Sequence, residues 1–111
     1  MKTLKFTPRL CVLIQAGTKT STWRLFDDKD LQVGDSIELI NKETLDTIGT
    51  GVITQLTIKT LGALDTTDWA GHERFASEEI MYETYRSYYG DIVDASSEVK
   101  LISFTFTPLE E

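Results

Sequence analysis

A chain of 111 residues, 41% apolar and 26% charged, has the length of one domain and enough apolar mass for a core. That excludes wholesale disorder and a second independent core. No apolar run nears the ~18 residues that a membrane helix needs, and Met1–Cys11 lacks the continuous apolar stretch of a secretory leader, so a cytoplasmic protein without membrane contact is expected.

One cysteine, Cys11, and one histidine, His72, cannot form an internal disulfide or fill a Cys/His zinc site, so neither a metal nor a cofactor is expected. The net charge of −7 opposes non-specific binding of nucleic acid, which depends on Lys and Arg neutralising phosphates. Its distribution is uneven. Residues 1–24 carry Lys2, Lys5, Arg9, Lys19 and Arg24 and no acid, whereas residues 25–111 carry six bases and all 18 acids. A basic N-terminal fifth on an acidic body is a candidate anion-binding face.

In chain order, Lys2–Phe6 alternates as a short strand. Thr7-Pro8 opens a helix, with Thr7 able to cap free N–H groups and Pro8 suited to the first position. Leu10, Leu13 and Ile14 form its inner stripe, Cys11 is a small core side chain, and Gly17 ends it in a left-handed conformation. Lys19–Leu25 is rich in β-branched and aromatic residues and reads as a strand. On it Ser21, Trp23 and Leu25 face the core, while Thr20, Thr22 and Arg24 line a surface or cleft. Asp27–Asp30 is a turn, and Gly34-Asp35 opens a strand over Ser36–Ile40.

After a polar connection at Asn41–Thr47, a strand runs over about Gly49–Lys59, with Gly49 and Gly51 marking a bulge or bend. Residues 61–76 read as loop with a helical turn near Asp65–Ala70. Ser77 caps a second helix, with Glu78 and Glu79 in its first turn, Ile80, Met81, Thr84, Tyr85 and Tyr88 on its inner face, and Gly90 at its end. The four tyrosines of this helix are read as packing residues. The last strand, Val99–Phe106, is apolar on both faces and belongs in the interior. Five or so strands with two helices, not strictly alternating, give an α+β fold, and strands bent at glycines suit a small twisted barrel.

The run Ala16-Gly17-Thr18-Lys19-Thr20-Ser21-Thr22-Trp23-Arg24 resembles the motif of the ASCH domain, a PUA-like β-barrel module: a helix ending in Gly, one variable residue, then Lys-Thr-x-Thr-x-Arg. Gly34-Asp35, the segment Glu73-Arg74-Phe75 before the helix Ser77–Tyr89, and the strand Lys100–Phe106 extend the likeness from Leu4 to Phe106. One position departs: Arg74 stands where many members carry Gly. The resemblance implies one domain over residues 1–111, a PUA-like barrel of five or six strands with two main helices. It also implies binding of RNA or nucleotide in a cleft between the barrel and the first helix.

The best-defined enzymatic branch of that family hydrolyses N(4)-acetylcytidine to cytidine and acetate. Its Lys, Thr and Glu fall on Lys19, Thr22 and Glu73, and Gly17, Thr20, Arg24 and Phe75 are expected to bind the substrate. The chemistry is coherent. A Thr hydroxyl is a weak nucleophile until a base takes its proton. Lys19 serves as that base only as a neutral amine, which desolvation or the like charge of Arg24 favours. Arg24 is alternatively a fork for a phosphate or a base carbonyl.

Glu73 protonates the leaving nitrogen, or orders a water if no acyl-enzyme forms. Backbone N–H groups around Gly17–Lys19 are the candidate oxyanion hole. Trp23 is assigned to the core and Phe75 to stacking on a base. His72, beside Glu73, reads as a surface loop residue, with a share in the acid–base work as the alternative.

Hydrolysis of an acylated nucleoside is therefore the leading expectation. A non-catalytic RNA-binding module using the same cleft is the second and a ribonuclease the third. The charge of −7 favours a small ligand over long RNA, and a monomer is expected.

Overall fold

The computed structural model describes residues 1–27 and 29–109. Of the turn expected at Asp27–Asp30, Asp28 thus lies outside the described residues. The elements run β1 (Lys2–Phe6), α1 (Pro8–Gln15), β2 (Ser21–Leu25), β3 (Ser36–Asn41), β4 (Thr47–Thr60), α2 (Glu78–Tyr89), β5 (Glu98–Phe104) and β6 (Thr107–Pro108), with short 3-10 turns at Leu61–Ala63 and Thr66–Trp69. The fold is α+β.

The strands form one sheet in the order β1-β3-β4-β5-β2, with β6 paired to β4, curled into a half-barrel. β1 lies parallel to β3, and the other pairs are antiparallel. The long strand β4 serves both halves. Its register shifts leave Ile48 unpaired against β3 and Thr54 unpaired against β5, and such extra residues bend a strand and increase its twist. The first bulge is the neighbour of Gly49, where the sequence predicts one.

Gly49 and Gly51 have a further role: a side chain at either would strike the segment 105–107 crossing β4, whose Thr105 carbonyl lies within contact distance of Gly51. Interior β5 carries its buried residues between β4 and β2, as its two apolar faces predict.

Two clusters of buried side chains result. Leu4, Phe6, Cys11, Ile14, Leu31, Ile37, Leu39, Ile53, Ile102 and Phe104 fill the space between α1 and the sheet. Trp23, Leu25, Leu61, Met81, Tyr85, Val93 and Val99 pack under α2. Pro8 holds the first position of α1, and Gly17, at φ 80°, follows its end, as the sequence predicts. Thr7 differs from expectation: its side chain makes no capping bond, and its extended backbone alone sets the start of the helix.

In α2, Ser77 accepts the Ile80 N–H at 3.2 Å. The inner stripe there is rotated from the one that the spacing predicts. Met81 and Tyr85, four residues apart, are buried, whereas Ile80 and Tyr88 are exposed. Half-buried Tyr82 and Tyr89 pack against the same cluster, so the helix turns Met81, Tyr82, Tyr85 and Tyr89 to the core instead of Ile80, Met81, Thr84, Tyr85 and Tyr88.

The sheet does not close by backbone pairing between its end strands, β1 and β2. Side chains link β1 to β2 and to the loop that follows β2 instead. Arg24 Nη2 donates to the Lys5 carbonyl at 3.0 Å, Lys29 Nζ donates to the Thr3 carbonyl, and Lys2 Nζ donates to the Asp30 carbonyl at 2.6 Å. No described helix is long and apolar enough to cross a membrane.

Gly51→Ala is expected to destabilise the protein by about 1–3 kcal/mol, since the obstacle at Gly51 is backbone and cannot rotate aside. Urea unfolding measures this, and an unchanged midpoint would show that the crossing segment is not held against β4.

Candidate functional site

At the seam between β1 and β2 lies a cavity of about 220 Å³. Its floor is buried: Phe6, Thr22, Trp23, His72 and Tyr85, with Glu73 half-buried beside them. Its rim is open: Lys5, Lys42 and Tyr88 are exposed, and Arg24 and Tyr89 are half-buried. Most small-molecule clefts measure ~300–1,000 Å³, so this one suits a single small unit rather than a folded polymer.

Local structure places each side chain. Gly17 turns the chain out of α1, and the N–H groups of Gly17, Thr18 and Lys19 go back to the carbonyls of Ile14 and Leu13 at 3.0–3.2 Å. They are thereby spent, which corrects the expectation of an oxyanion hole there. The chain then enters β2. The Gly71 carbonyl accepts both the Thr20 and Ser21 N–H groups, at 2.8 and 3.1 Å, and Ser21 Oγ donates to the Ala70 carbonyl at 3.2 Å. Gly71 has φ 72°, and the Thr20 hydroxyl occupies the space that a Cβ there would need. This lock fastens loop residues 70–73 to the head of β2 and sets His72 and Glu73 opposite Lys19.

Lys19 is the least ordinary residue of the site. Its side chain is 2% exposed, and its ammonium donates to Glu73 Oε1 at 2.5 Å and to the Ser21 carbonyl at 2.7 Å. Burial pulls its pKa down; the Glu73 carboxylate opposes this, and Arg24 adds to the fall. Glu73 is 13% exposed. Burial alone would push its carboxyl up, but His72, Lys19 and a hydrogen bond from its own backbone together hold it below the usual carboxylate value.

Thr22 is buried, and its Oγ1 accepts from Arg24 Nε at 3.3 Å. It makes no hydrogen bond to Lys19. The Arg24 guanidinium sits 4.7 Å from the Phe6 ring centroid. Burial lowers its pKa, yet a guanidinium stays charged at ordinary pH.

His72 is a buried floor residue, which corrects its reading as a surface side chain. Its ring stacks on Trp23, with centroids 3.9 Å apart and planes at 17°. Nδ1 lies 2.8 Å from the Glu73 carbonyl, an acceptor only, so Nδ1 carries the proton and Nε2 is left as an acceptor. Burial, then the charge of Lys19, lowers its pKa to about 4, so it is neutral at ordinary pH. The one sequence sign of this role is its adjacency to Glu73. The Trp23 Nε1–H is buried without an acceptor among the described residues.

Thr22, Arg24 and Glu73 therefore line one cavity, with Lys19 buried behind the lining and bonded to Glu73. Gly17 and Thr20 do not line the cavity: Gly17 is an exposed turn, and Thr20 packs on Gly71. Phe75 lies on the far side of the aromatic cluster, 5.9 Å from Trp69 and 6.0 Å from Tyr85 between ring centroids, and lines a separate groove. Arg74 is outside the cavity too, its guanidinium 5.6 Å from the Trp69 ring centroid. Tyr88 is a rim residue rather than packing. Among the described residues, no three or more His, Cys, Asp or Glu side chains stand together as a metal site.

No protein-family model and no curated protein matches the chain. Solved structures do. An ASCH domain from Lactobacillus crispatus superposes with a TM-score of 0.64 at 18% identity, covering 86% of this chain and 69% of its own. An ASCH protein from Zymomonas mobilis gives 0.60 at 18% identity, covering 93% and 65%. A protein from Pyrococcus furiosus gives 0.64 at 18% identity, covering 99% and 98%. The fold is that of the ASCH domain. At these identities the likeness establishes the architecture, and the chemistry has to be argued from the side chains of this chain.

As pH falls from 6.5 toward 4, the unfolded chain takes up a proton at His72 that the folded protein refuses. Stability is therefore complete above pH about 7 and drops across this window by on the order of 3 kcal/mol. Glu73, held low, extends the loss further into acid. Urea midpoints against pH measure the fall. Imidazole nitrogen shifts should remain those of the neutral Nδ1–H form down to about pH 5, and an imidazolium signal at pH 6 would contradict the buried ring.

Proposed function

We propose that the protein hydrolyses the acetamide of N(4)-acetylcytidine or a closely related acylated nucleoside. The observation that carries this reading is that Glu73 and Thr22 both line a small cavity and that Lys19, buried behind the lining, is hydrogen-bonded to Glu73. A carboxylate and an ammonium joined by one hydrogen bond hold a proton that can sit on either partner. Moved from Lys19 to Glu73, it yields a neutral amine and a carboxylic acid, the base and the acid that amide cleavage requires. Burial favours this transfer, because it removes two charges from a poorly solvated place.

From that state the Thr22 hydroxyl gives its proton to Lys19, and its oxygen bonds to the acetyl carbon. Arg24 Nε, already at Thr22 Oγ1, supplies positive charge to the oxyanion. The C–N bond breaks as Glu73 protonates the leaving nitrogen, which frees cytidine and leaves acetyl-Thr22. A water then loses a proton to the Glu73 carboxylate and attacks the ester. Thr22 departs with the proton from Lys19, and acetic acid is released. The proton on Glu73 passes back to Lys19, which restores the carboxylate and the ammonium, and the acetic acid loses its own proton to solvent. Neutral His72, with Nε2 as an acceptor on a floor residue, offers a contact to an N–H of the base. The small cavity and the acidic body weigh against long RNA.

Incubation with N(4)-acetylcytidine should release acetate. Thr22→Val, Lys19→Met and Glu73→Gln should each lower kcat by about 10²-fold or more, with thermal melts confirming that each variant is folded. An inert wild type at high enzyme concentration would end this reading. Full activity in Thr22→Val would move the attack to water.

A further inference from the structure

The rim of the cavity carries more positive charge than a neutral nucleoside can use. Glu73 is the one carboxylate among the lining residues, and Lys19 already answers it. Arg24 is engaged by Thr22, the Lys5 carbonyl and the Phe6 ring. Lys5 and Lys42 remain. Both are exposed lining residues, and neither ammonium has an acidic partner among the described residues.

In a chain with 18 acids and 11 bases, two unpaired lysines at one opening stand against the general balance. The fold brings them there. Lys5 pairs with Ile40 in the β1–β3 ladder, Lys42 follows directly after β3, and its N–H donates to the Phe6 carbonyl at 2.8 Å. Lys42 Nζ lies 5.6 Å from the ring centroid of Tyr88, across the mouth.

We infer that the ligand of this cavity carries a phosphate: a nucleoside monophosphate whose base and acyl amide reach the floor while the phosphate rests on Lys42 and Lys5. This names the substrate class within the reading above and rests on it. A mononucleotide fits better than a polymer because the cavity holds one small unit and residues 25–111, with six bases against 18 acids, repel further phosphates.

The test compares kcat/KM for N(4)-acetylcytidine, its 5′-monophosphate and a short RNA containing the same base. The monophosphate should be favoured over the nucleoside by about tenfold through KM at low salt, the preference should shrink at high salt, and the double variant Lys5→Ala/Lys42→Ala should bring the ratio near one. Equal turnover of nucleoside and monophosphate, a preference that survives in the double variant, or better turnover of the RNA would each overturn the inference.

Calorimetric binding of cytidine 5′-monophosphate against cytidine separates this from the catalytic reading. Should no substrate be hydrolysed, tighter binding of the monophosphate that the double variant loses would still support the phosphate site. Equal binding of the two would refute it.

Discussion

An ammonium and a carboxylate share a position that water scarcely reaches, and the arrangement of the whole site follows from keeping them there. Removing two charges from water costs several kcal/mol per ion before their attraction is counted, so a pair at this depth needs further hydrogen bonds and fixed geometry. Lys19 obtains both from the Ser21 carbonyl and from the locking of residues 70–73 to the head of β2 through Gly71. Glu73 obtains them from Lys19 and from its neighbour His72, itself fixed by stacking on Trp23. A pair so expensive adds little to stability compared with apolar residues of similar volume. Glu73 presents one member of the pair to the cavity, and Lys19 is buried behind it.

The second constraint is topological. A sheet that ends on β1 and β2 without pairing them leaves two edges of polar backbone. Completion by backbone bonds would produce a closed barrel with no room at the seam. Completion by side chains leaves a gap, and that gap is the cavity. Arg24 belongs to both structures: its Nη2 ties the edges together at Lys5, and its Nε reaches Thr22 on the floor. Closing the fold and furnishing the site are thus partly the same interaction. Loss of Arg24 would disturb both, so a defect in such a variant needs a stability measurement beside it.

Charge has a comparable division. The acids keep the body of this small domain strongly negative, while the basic N-terminal fifth folds so that Arg24 and Lys5 meet Lys42 around one opening. On the inference of a phosphate-bearing ligand, a field of this kind draws a small anion to the mouth and discourages a long polyanion from lying across the surface. Neutral His72 fits the same scheme. An imidazolium beside Lys19 would add a like charge to the floor, and burial prevents it.

The sequence by itself determined the elements and several faces. The period-2 pattern at Ser21–Leu25 separates the core residues Trp23 and Leu25 from Thr22 and Arg24, because successive strand residues must point to opposite sides. Pro8, Gly17, Ser77 and Gly90 mark helix ends through fixed local geometry. The motif resemblance also singled out Lys19, Thr22, Glu73 and Arg24, four residues that stand together.

What only the tertiary structure decided concerns residues whose partners are distant in the chain. His72 is buried because Trp23 covers it, Thr20 serves Gly71 rather than the cavity, Phe75 faces another groove, and Tyr88 reaches the rim because α2 turns Met81, Tyr82, Tyr85 and Tyr89 to the core. Local propensity acts over a few residues, whereas burial and contact depend on which segments the folded sheet brings side by side.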